Sequence, residues 1–254
     1  MSGAGHPDLL TEAWSGSAGQ IETMDPSEFD KFADEYEAIH AANVGLSGES
    51  PEYFAAYKVR ELHAAFGGAA GEPATILDFG AGVGASVPHF RQHFPGARLI
   101  CADVSSRSRD IACERFGPQL DYRLIEGARL PVGDAEVDLV FASCVFHHVD
   151  APMHLALLRE LARVLRPGGR LAVFEHNPLN PLTVRTVKAC AFDEKAVLLS
   201  PRQLRGSLSG AGFVNLHTRY TLFFPRALRA LRGLERSLWW NPLGAQYYVS
   251  GERP

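Results

Sequence analysis

Residues 76–84 read Ile-Leu-Asp-Phe-Gly-Ala-Gly-Val-Gly, a short apolar run that opens onto three glycines at alternate positions. Glycine gives up more chain entropy on folding than any other residue, so such a cluster survives only where the backbone turns tightly or approaches something closely. A helical pattern follows over 85–93, making the segment a strand, a turn and a helix whose N-terminus faces a nucleotide-like ligand. From Thr75 onward the same alternation recurs. Apolar runs at 99–103, 122–126, 139–143 and 171–175 alternate with helical periodicity at 106–115 and 152–165. That order predicts an α/β fold, a doubly wound and mostly parallel sheet covered on both faces. Ser200-Pro201 starts a further helix, and 213–224 and 246–250 read as two more strands forming an antiparallel edge, which brings the sheet to seven.

The loop by itself leaves its ligand open. Gly80, Gly82 and Ala85 also satisfy the dinucleotide pattern, with Asp103 near the position of a ribose-binding acid. Three further features separate the alternatives. Asp78 precedes the glycines as Asp-x-Gly-x-Gly-x-Gly; Glu126-Gly127-Ala128-Arg129-Leu130-Pro131 follows the third strand; Leu165-Arg166-Pro167-Gly168-Gly169-Arg170-Leu171 joins a helix end to the fifth. In this order the chain resembles the class I S-adenosylmethionine-dependent methyltransferases over roughly residues 75–175. Phe29-Asp30-x-x-Ala33-x-x-Tyr36 is similar to the helical cap often found in front of that core.

The resemblance implies a Rossmann-like sheet and S-adenosyl-L-methionine as cofactor. Asp78 and the backbone of Gly80, Ala81, Gly82 and Gly84 would hold its methionine part, and Asp103 would accept both ribose hydroxyls. Glu126 and the Gly127 backbone would meet the adenine edge, and Ser143 would line the pocket. An ionised carboxylate can accept two hydroxyl hydrogens, and a sulfonium ligand without phosphate needs no Arg or Lys at the loop, which has neither. Glu126-Gly127 departs from the commoner Asp-Ala, which bears on the adenine contact. The implied activity is methylation of a small-molecule acceptor. A nicotinamide-dependent oxidoreductase and a non-catalytic cofactor-binding module are the alternatives.

Methyl transfer from a sulfonium depends chiefly on alignment and desolvation, and a base serves when the acceptor must lose a proton. The candidates at carboxyl ends of strands are His147, His148 and Asp150 after the fourth, and Glu175, His176 and Asn177 after the fifth. His147, His148 and His176 are the expected catalytic residues, set against a packing role for each. Two Asn-Pro pairs stiffen Glu175-His176-Asn177-Pro178-Leu179-Asn180-Pro181 into a polar loop facing the acceptor, or into an ordinary turn. Tyr36, His40, Tyr53 and Tyr57 either close over the pocket or form an aromatic seam, and Lys58 and Arg60 are expected in solvent or reaching a carboxylate.

Ahead of the core, Asp25-Pro26-Ser27-Glu28 opens a helix carrying Phe29, Phe32, Ala33, Tyr36 and Ile39, and Ser50-Pro51 opens a second with Phe54, Tyr57, Leu62 and Phe66. The expected organisation is a helical cap over 1–70 and a core over 71–254 with a helical insertion near 225–240. In that insertion Ala227, Leu228, Leu231, Leu234 and Leu238 form an apolar stripe opposite Arg226, Arg229, Arg232 and Arg236. This amphipathic helix packs on the sheet edge, lids the pocket for an apolar or anionic acceptor, or rests on a membrane.

Charge and composition narrow the partners. Residues 1–72 hold 13 acidic against 3 basic residues and 219–254 hold 6 arginines against 2 glutamates, with −4 overall; an acidic front third disfavours nucleic acid. At 46% hydrophobic and 21% charged residues the chain is too apolar for disorder. No apolar stretch approaches the ~20 residues of a membrane span, and no secretory signal opens the chain, so the expected location is cytoplasmic. Cys101, Cys113, Cys144 and Cys190 show no CxxC pairing, which points to reduced thiols and to no metal site.

Overall fold

The structure, a computed structural model, describes residues 30, 48–67, 71–127, 129–190, 193 and 196–254. The helix expected over 25–40, with Tyr36 and His40, lies outside these residues except for Asp30. The second expected helix is α1 (Pro51–Phe66), started by Ser50, whose side chain accepts the Tyr53 N–H, with Pro51 in the first turn.

Seven strands follow: β1 (Thr75–Phe79), β2 (Arg98–Asp103), β3 (Asp121–Leu124), β4 (Val137–Ser143), β5 (Leu165–His176), β6 (Val214–Thr221) and β7 (Gln246–Glu252). Between them run α2 (Val87–His93), α3 (Ser106–Phe116), α4 (His154–Val164), α5 (Pro181–Lys188) and α6 (Pro201–Gly210). The strands lie in the order β3-β2-β1-β4-β5-β7-β6. β1 to β5 pair in parallel, whereas β7 runs antiparallel to both β5 and β6. The sheet is therefore mixed, with β7 and β6 as the antiparallel pair at its edge: β7 is inserted between β5 and β6, because the chain leaves β6 one position out and returns through the gap.

Alternation along each strand divides the core between the two faces. Leu77, Val140, Ala142 and Val173 pack with Leu158 and Leu161 of α4 and Leu204 and Leu208 of α6. On the other face Ile76, Leu139, Phe141 and Phe174 meet Val59 and Leu62 of α1 and Phe90 of α2. Both faces are dry, which is why the strands read as continuous apolar runs. Each buried Val, Leu, Ile or Phe among them contributes about 1.5–3 kcal/mol relative to exposure.

Two local expectations change. The Pro167-Gly168-Gly169 turn lies within β5: pairing steps from Val137↔Leu165 to Leu139↔Arg170, and the intervening residues bulge out. Gly168 has φ +75°, and the bulge is tied down by Gly168 N–H to Arg253 O and Arg253 N–H to Gly169 O, both 2.8 Å. The expected polar loop 175–181 ends in a helix, α5, because Asn180 accepts the Leu182 and Thr183 N–H groups and Pro181 occupies the first turn.

Candidate active site

The carboxyl ends of β1 and β4, neighbours whose connections leave toward opposite sides of the sheet, form the crevice where such sheets take ligands. The glycine loop crosses the β1 side of it. Gly80 has φ +75° and a Cβ there would lie 2.3 Å from Val145 Cγ2, so it is needed for packing. Gly82 differs. With φ +51° its Cβ position has no heavy atom within 4 Å, so its backbone borders open space.

Two carboxyls stand near the loop, Asp78 in β1 and Asp103 at the end of β2. Asp103, 9% exposed, accepts the Gly82 N–H on Oδ2 at 2.8 Å and the Ser105 N–H on Oδ1 at 2.9 Å. It therefore shapes the loop as well as keeping lone pairs for hydroxyls. Burial raises its pKa against these backbone hydrogen bonds. Asp78 is 2% exposed, and its Oδ2 accepts no hydrogen bond among the described residues. Burial first and the neighbouring Asp103 second push its carboxyl up to about 7, with Lys58 opposing them. A buried oxygen without a donor is costly unless a ligand satisfies it.

Tyr122 on β3 donates to Gly82 O at 2.7 Å, fixing the loop from the far side. Asp30 accepts from Ser105 Oγ at 2.5 Å and from Arg107 N–H at 3.1 Å, placing a carboxylate at the N-terminus of α3. Glu126 and Gly127 are exposed beyond β3, Gly127 with φ +77°.

At the ends of β4 and β5 the arrangement departs from expectation. Lys58 is 7% exposed rather than solvated. Its Nζ donates to Ser143 Oγ at 2.7 Å and Cys144 Sγ at 3.3 Å. Cys144 adopts φ +58°. Burial disfavours its thiolate, but Lys58 first and His176 second outweigh burial and bring the thiol down to about 6. Ser143, Cys144, Lys58 and His176 thus form one polar cluster. Arg60 is exposed, over the Tyr57 ring.

His147 and His148 point elsewhere. His147, 2% exposed, meets Glu175 Oε2 through Nδ1 at 2.5 Å, and Glu175 Oε1 accepts the Phe146 N–H at 2.8 Å. Burial lowers the His147 pKa, but Glu175 and Asp193 outweigh it and keep the ring protonated. His148 shares Asp193; burial and the His147 charge bring it down to about 4. Asp150 is exposed. Asn177 is fully buried and donates to Pro242 O and Gly244 O at 2.8 and 2.7 Å, so it braces the approach to β7 rather than facing an acceptor.

The insertion, Arg226–Ser237, forms 3-10 turns interrupted at Leu228 instead of an α-helix. Three residues per turn align positions i and i+3, which puts Leu228, Leu231 and Leu234 on one face and Arg229, Arg232 and Glu235 on another. The leucine stripe does not pack inward. The three leucines are exposed, as are Trp239 and Trp240, while Glu235 is buried. Glu235 accepts from Tyr57 Oη at 2.9 Å and from the Phe223 and Phe224 N–H groups at 3.1 Å. Arg232 pairs with Glu49 at 2.6 Å and covers the Tyr53 ring. Tyr53 and Tyr57 are therefore engaged by this segment, with Tyr53 also edge-on to Phe54.

Comparison with known proteins agrees with this geometry. Residues 77–173 match the family model described as "Methyltransferase domain". The chain is 30% identical over 179 residues to an arsenite methyltransferase of Halobacterium salinarum, covering 68% of this chain and 39% of the relative. The chain spans less than half the length of the curated relatives it matches. A Thermotoga maritima structure described as an S-adenosylmethionine-dependent methyltransferase, possible histamine N-methyltransferase, shares the fold at TM-score 0.64 and 19% identity, covering 90% of this chain and 99% of that one. A Haemonchus contortus phosphoethanolamine N-methyltransferase in complex with S-adenosyl-L-methionine superimposes at TM-score 0.61 and 14% identity, covering 89% of this chain and 60% of that one. With its Asp-x-Gly-x-Gly-x-Gly loop, its paired acids and its seven-stranded sheet, the chain carries over residues 77–173 a methyltransferase domain with the fold of the class I S-adenosylmethionine-dependent methyltransferases, whose cofactor is S-adenosylmethionine.

Proposed function

We propose that the protein methylates a small-molecule acceptor in the crevice beside Ser143, Cys144 and His176. The observation that carries this reading is Asp78 Oδ2, a buried acceptor without a donor among the described residues, in the strand that leads into the glycine loop, where the Gly82 backbone borders open space. The residues fit the cofactor: a cationic, hydroxyl-bearing ligand supplies what Asp78 and Asp103 lack, and no basic side chain stands in the loop to call for phosphate. Bound S-adenosylmethionine supplies a methyl group activated on a sulfonium.

The chain's own groups do the rest. Asp78 ionises as a cation arrives, Asp103 orients the ribose hydroxyls while holding the loop through Gly82 N–H, and Glu126 with Gly127 borders the adenine edge. Val145, packed against the Gly80 backbone, gives the loop an apolar neighbour that limits water, which favours in-line displacement. His176 takes the acceptor's proton where one must leave, positioned by Cys144. His147 and His148 are occupied by Glu175 and Asp193 and act as supports. The acceptor is apolar or anionic, in keeping with Lys58 at the site. Among the described residues no helix is long and apolar enough to cross a membrane.

Calorimetry with S-adenosylmethionine, S-adenosylhomocysteine and NAD, followed by turnover across small acceptors, tests the reading. Binding of the first two and not NAD, with methyl transfer to a small molecule, is the expected result. Cofactor binding with methylation of protein or nucleic acid only would reject the acceptor class.

A further inference from the structure

Beyond the methyl-transfer crevice, the ends of β4 and β5 carry a second constellation. His147 Nε2 and His148 Nε2 each lie 3.5 Å from Asp193 Oδ1. One ligand atom from each of the three residues falls within 4.8 Å of the others. A separation of 3.5 Å is long for a hydrogen bond. It matches the edge of a coordination tetrahedron, because donors about 2.0–2.1 Å from one zinc ion sit about 3.4 Å from each other.

The surroundings are those of a built site. His147 turns Nδ1 to Glu175 at 2.5 Å, leaving Nε2 directed at Asp193. Glu175 is itself fully buried and held by the Phe146 N–H. A carboxylate on the far nitrogen fixes the tautomer and orientation of a metal-ligating imidazole and raises its basicity. Asp193 reaches the histidines through local backbone hydrogen bonds: its N–H donates to Cys190 O at 3.1 Å, Ala196 N–H donates to Asp193 O at 3.0 Å, and Val197 N–H donates to His147 O at 2.9 Å.

We propose that His147, His148 and Asp193 bind one divalent transition-metal ion of the zinc type, with Glu175 orienting His147. Two imidazoles and a carboxylate suit zinc and its neighbours better than magnesium or calcium, which prefer all-oxygen sets. Three protein ligands leave a coordination position for water or a polar molecule. The sequence concealed the site because Asp193 lies far beyond the His147-His148 pair, outside any local ligand spacing. The proposal does not depend on which acceptor is methylated.

The test uses the full chain stripped with a chelator, then titrated with Zn²⁺ against a competing chromophoric chelator, and with Co²⁺ while the visible ligand-field spectrum is read. Uptake of one equivalent at micromolar or tighter affinity is expected, with a Co²⁺ spectrum of nitrogen and oxygen ligation. His148→Ala and Asp193→Asn each weaken Zn²⁺ binding by tenfold or more. Glu175→Gln weakens it by about 10–100-fold through His147 alone. His217→Ala, at an exposed histidine remote in sequence, leaves it unchanged. Thermal melts of the metal-free variants establish that each is folded. No stoichiometric uptake of either ion by the wild type overturns the proposal, as does wild-type affinity in folded His148→Ala and Asp193→Asn proteins.

Discussion

Replacing Asp78 by Asn removes one titrating group and keeps nearly the same volume, so its effect isolates the charge of that buried carboxyl. Without ligand, burial and Asp103 hold the native Asp78 at about 7, against an ordinary value of 3.8. The native state therefore keeps a proton that the unfolded chain has lost throughout that interval. Stability falls as pH rises through it, because the unfolded state binds fewer protons, and is level again above about 7. At about 1.4 kcal/mol per pH unit the full interval amounts to on the order of 4 kcal/mol, and pH 5 to 7 to about 3 kcal/mol. Asp78→Asn lacks this slope. Urea unfolding of both proteins at pH 5, 6, 7 and 8 should show the variant gaining on the wild type by about 3 kcal/mol up to pH 7 and no further. Other carboxylates titrate in both proteins and cancel in the difference. The same variant should lose most of its affinity for S-adenosylmethionine, and wild-type binding at pH 6 should release a proton, measured by calorimetry in buffers of different ionisation heat. A stability difference that stays flat from pH 5 to 8 would refute the reasoning, since Lys58 would then outweigh burial and Asp103.

Asp103→Ala should weaken S-adenosylhomocysteine binding by about 1.5–3 kcal/mol by calorimetry, and should also lower unfolding stability by about 1–3 kcal/mol, since the Gly82 and Ser105 N–H groups lose their acceptor. Gly82→Leu should abolish cofactor binding, its Cβ meeting no other atom but its φ of +51° costing about 1–2 kcal/mol of stability; retained affinity in the folded variant would place the cofactor elsewhere. His176→Ala should slow turnover by roughly 10²–10⁴-fold with cofactor affinity intact, where the acceptor carries an acidic proton. Glu235→Ala should lower stability by about 1–3 kcal/mol in denaturant melts, as the Tyr57 hydroxyl and two backbone N–H groups are left in its place without an acceptor.

Features whose cause is local were legible in the sequence. The strand into Gly80–Gly84, the apolar runs and the acids Asp78 and Asp103 all stand where periodicity and turn chemistry put them. Lys58 was missed although its signal was present. It lies four residues from both Phe54 and Leu62, inside the apolar stripe of α1, where a lysine marks a buried partner rather than solvent. The apolar stripe of 226–237 predicts inward leucines, but Glu235 is the residue drawn in, because Tyr57 and the Phe223 and Phe224 N–H groups donate to it. α5 was hidden by reading Asn180-Pro181 as a stiff loop, when the pair is the same start signal that opens α1 and α6. Asp193 and the brace from Asn177 to Pro242 and Gly244 depend on tertiary contacts, and no local pattern announces them.

The insertion of β7 between β5 and β6 has a consequence for the nascent and the damaged chain. β6 joins the sheet only through β7, so until Gln246–Glu252 is in place β5 presents an unpaired edge rich in apolar residues, Leu171-Ala172-Val173-Phe174. Such an edge recruits strands from other molecules. Proteolysis between β6 and β7, or slow closure of the long β5–β7 loop, should thus convert a well-packed sheet into an aggregating one before its remaining strands lose their order.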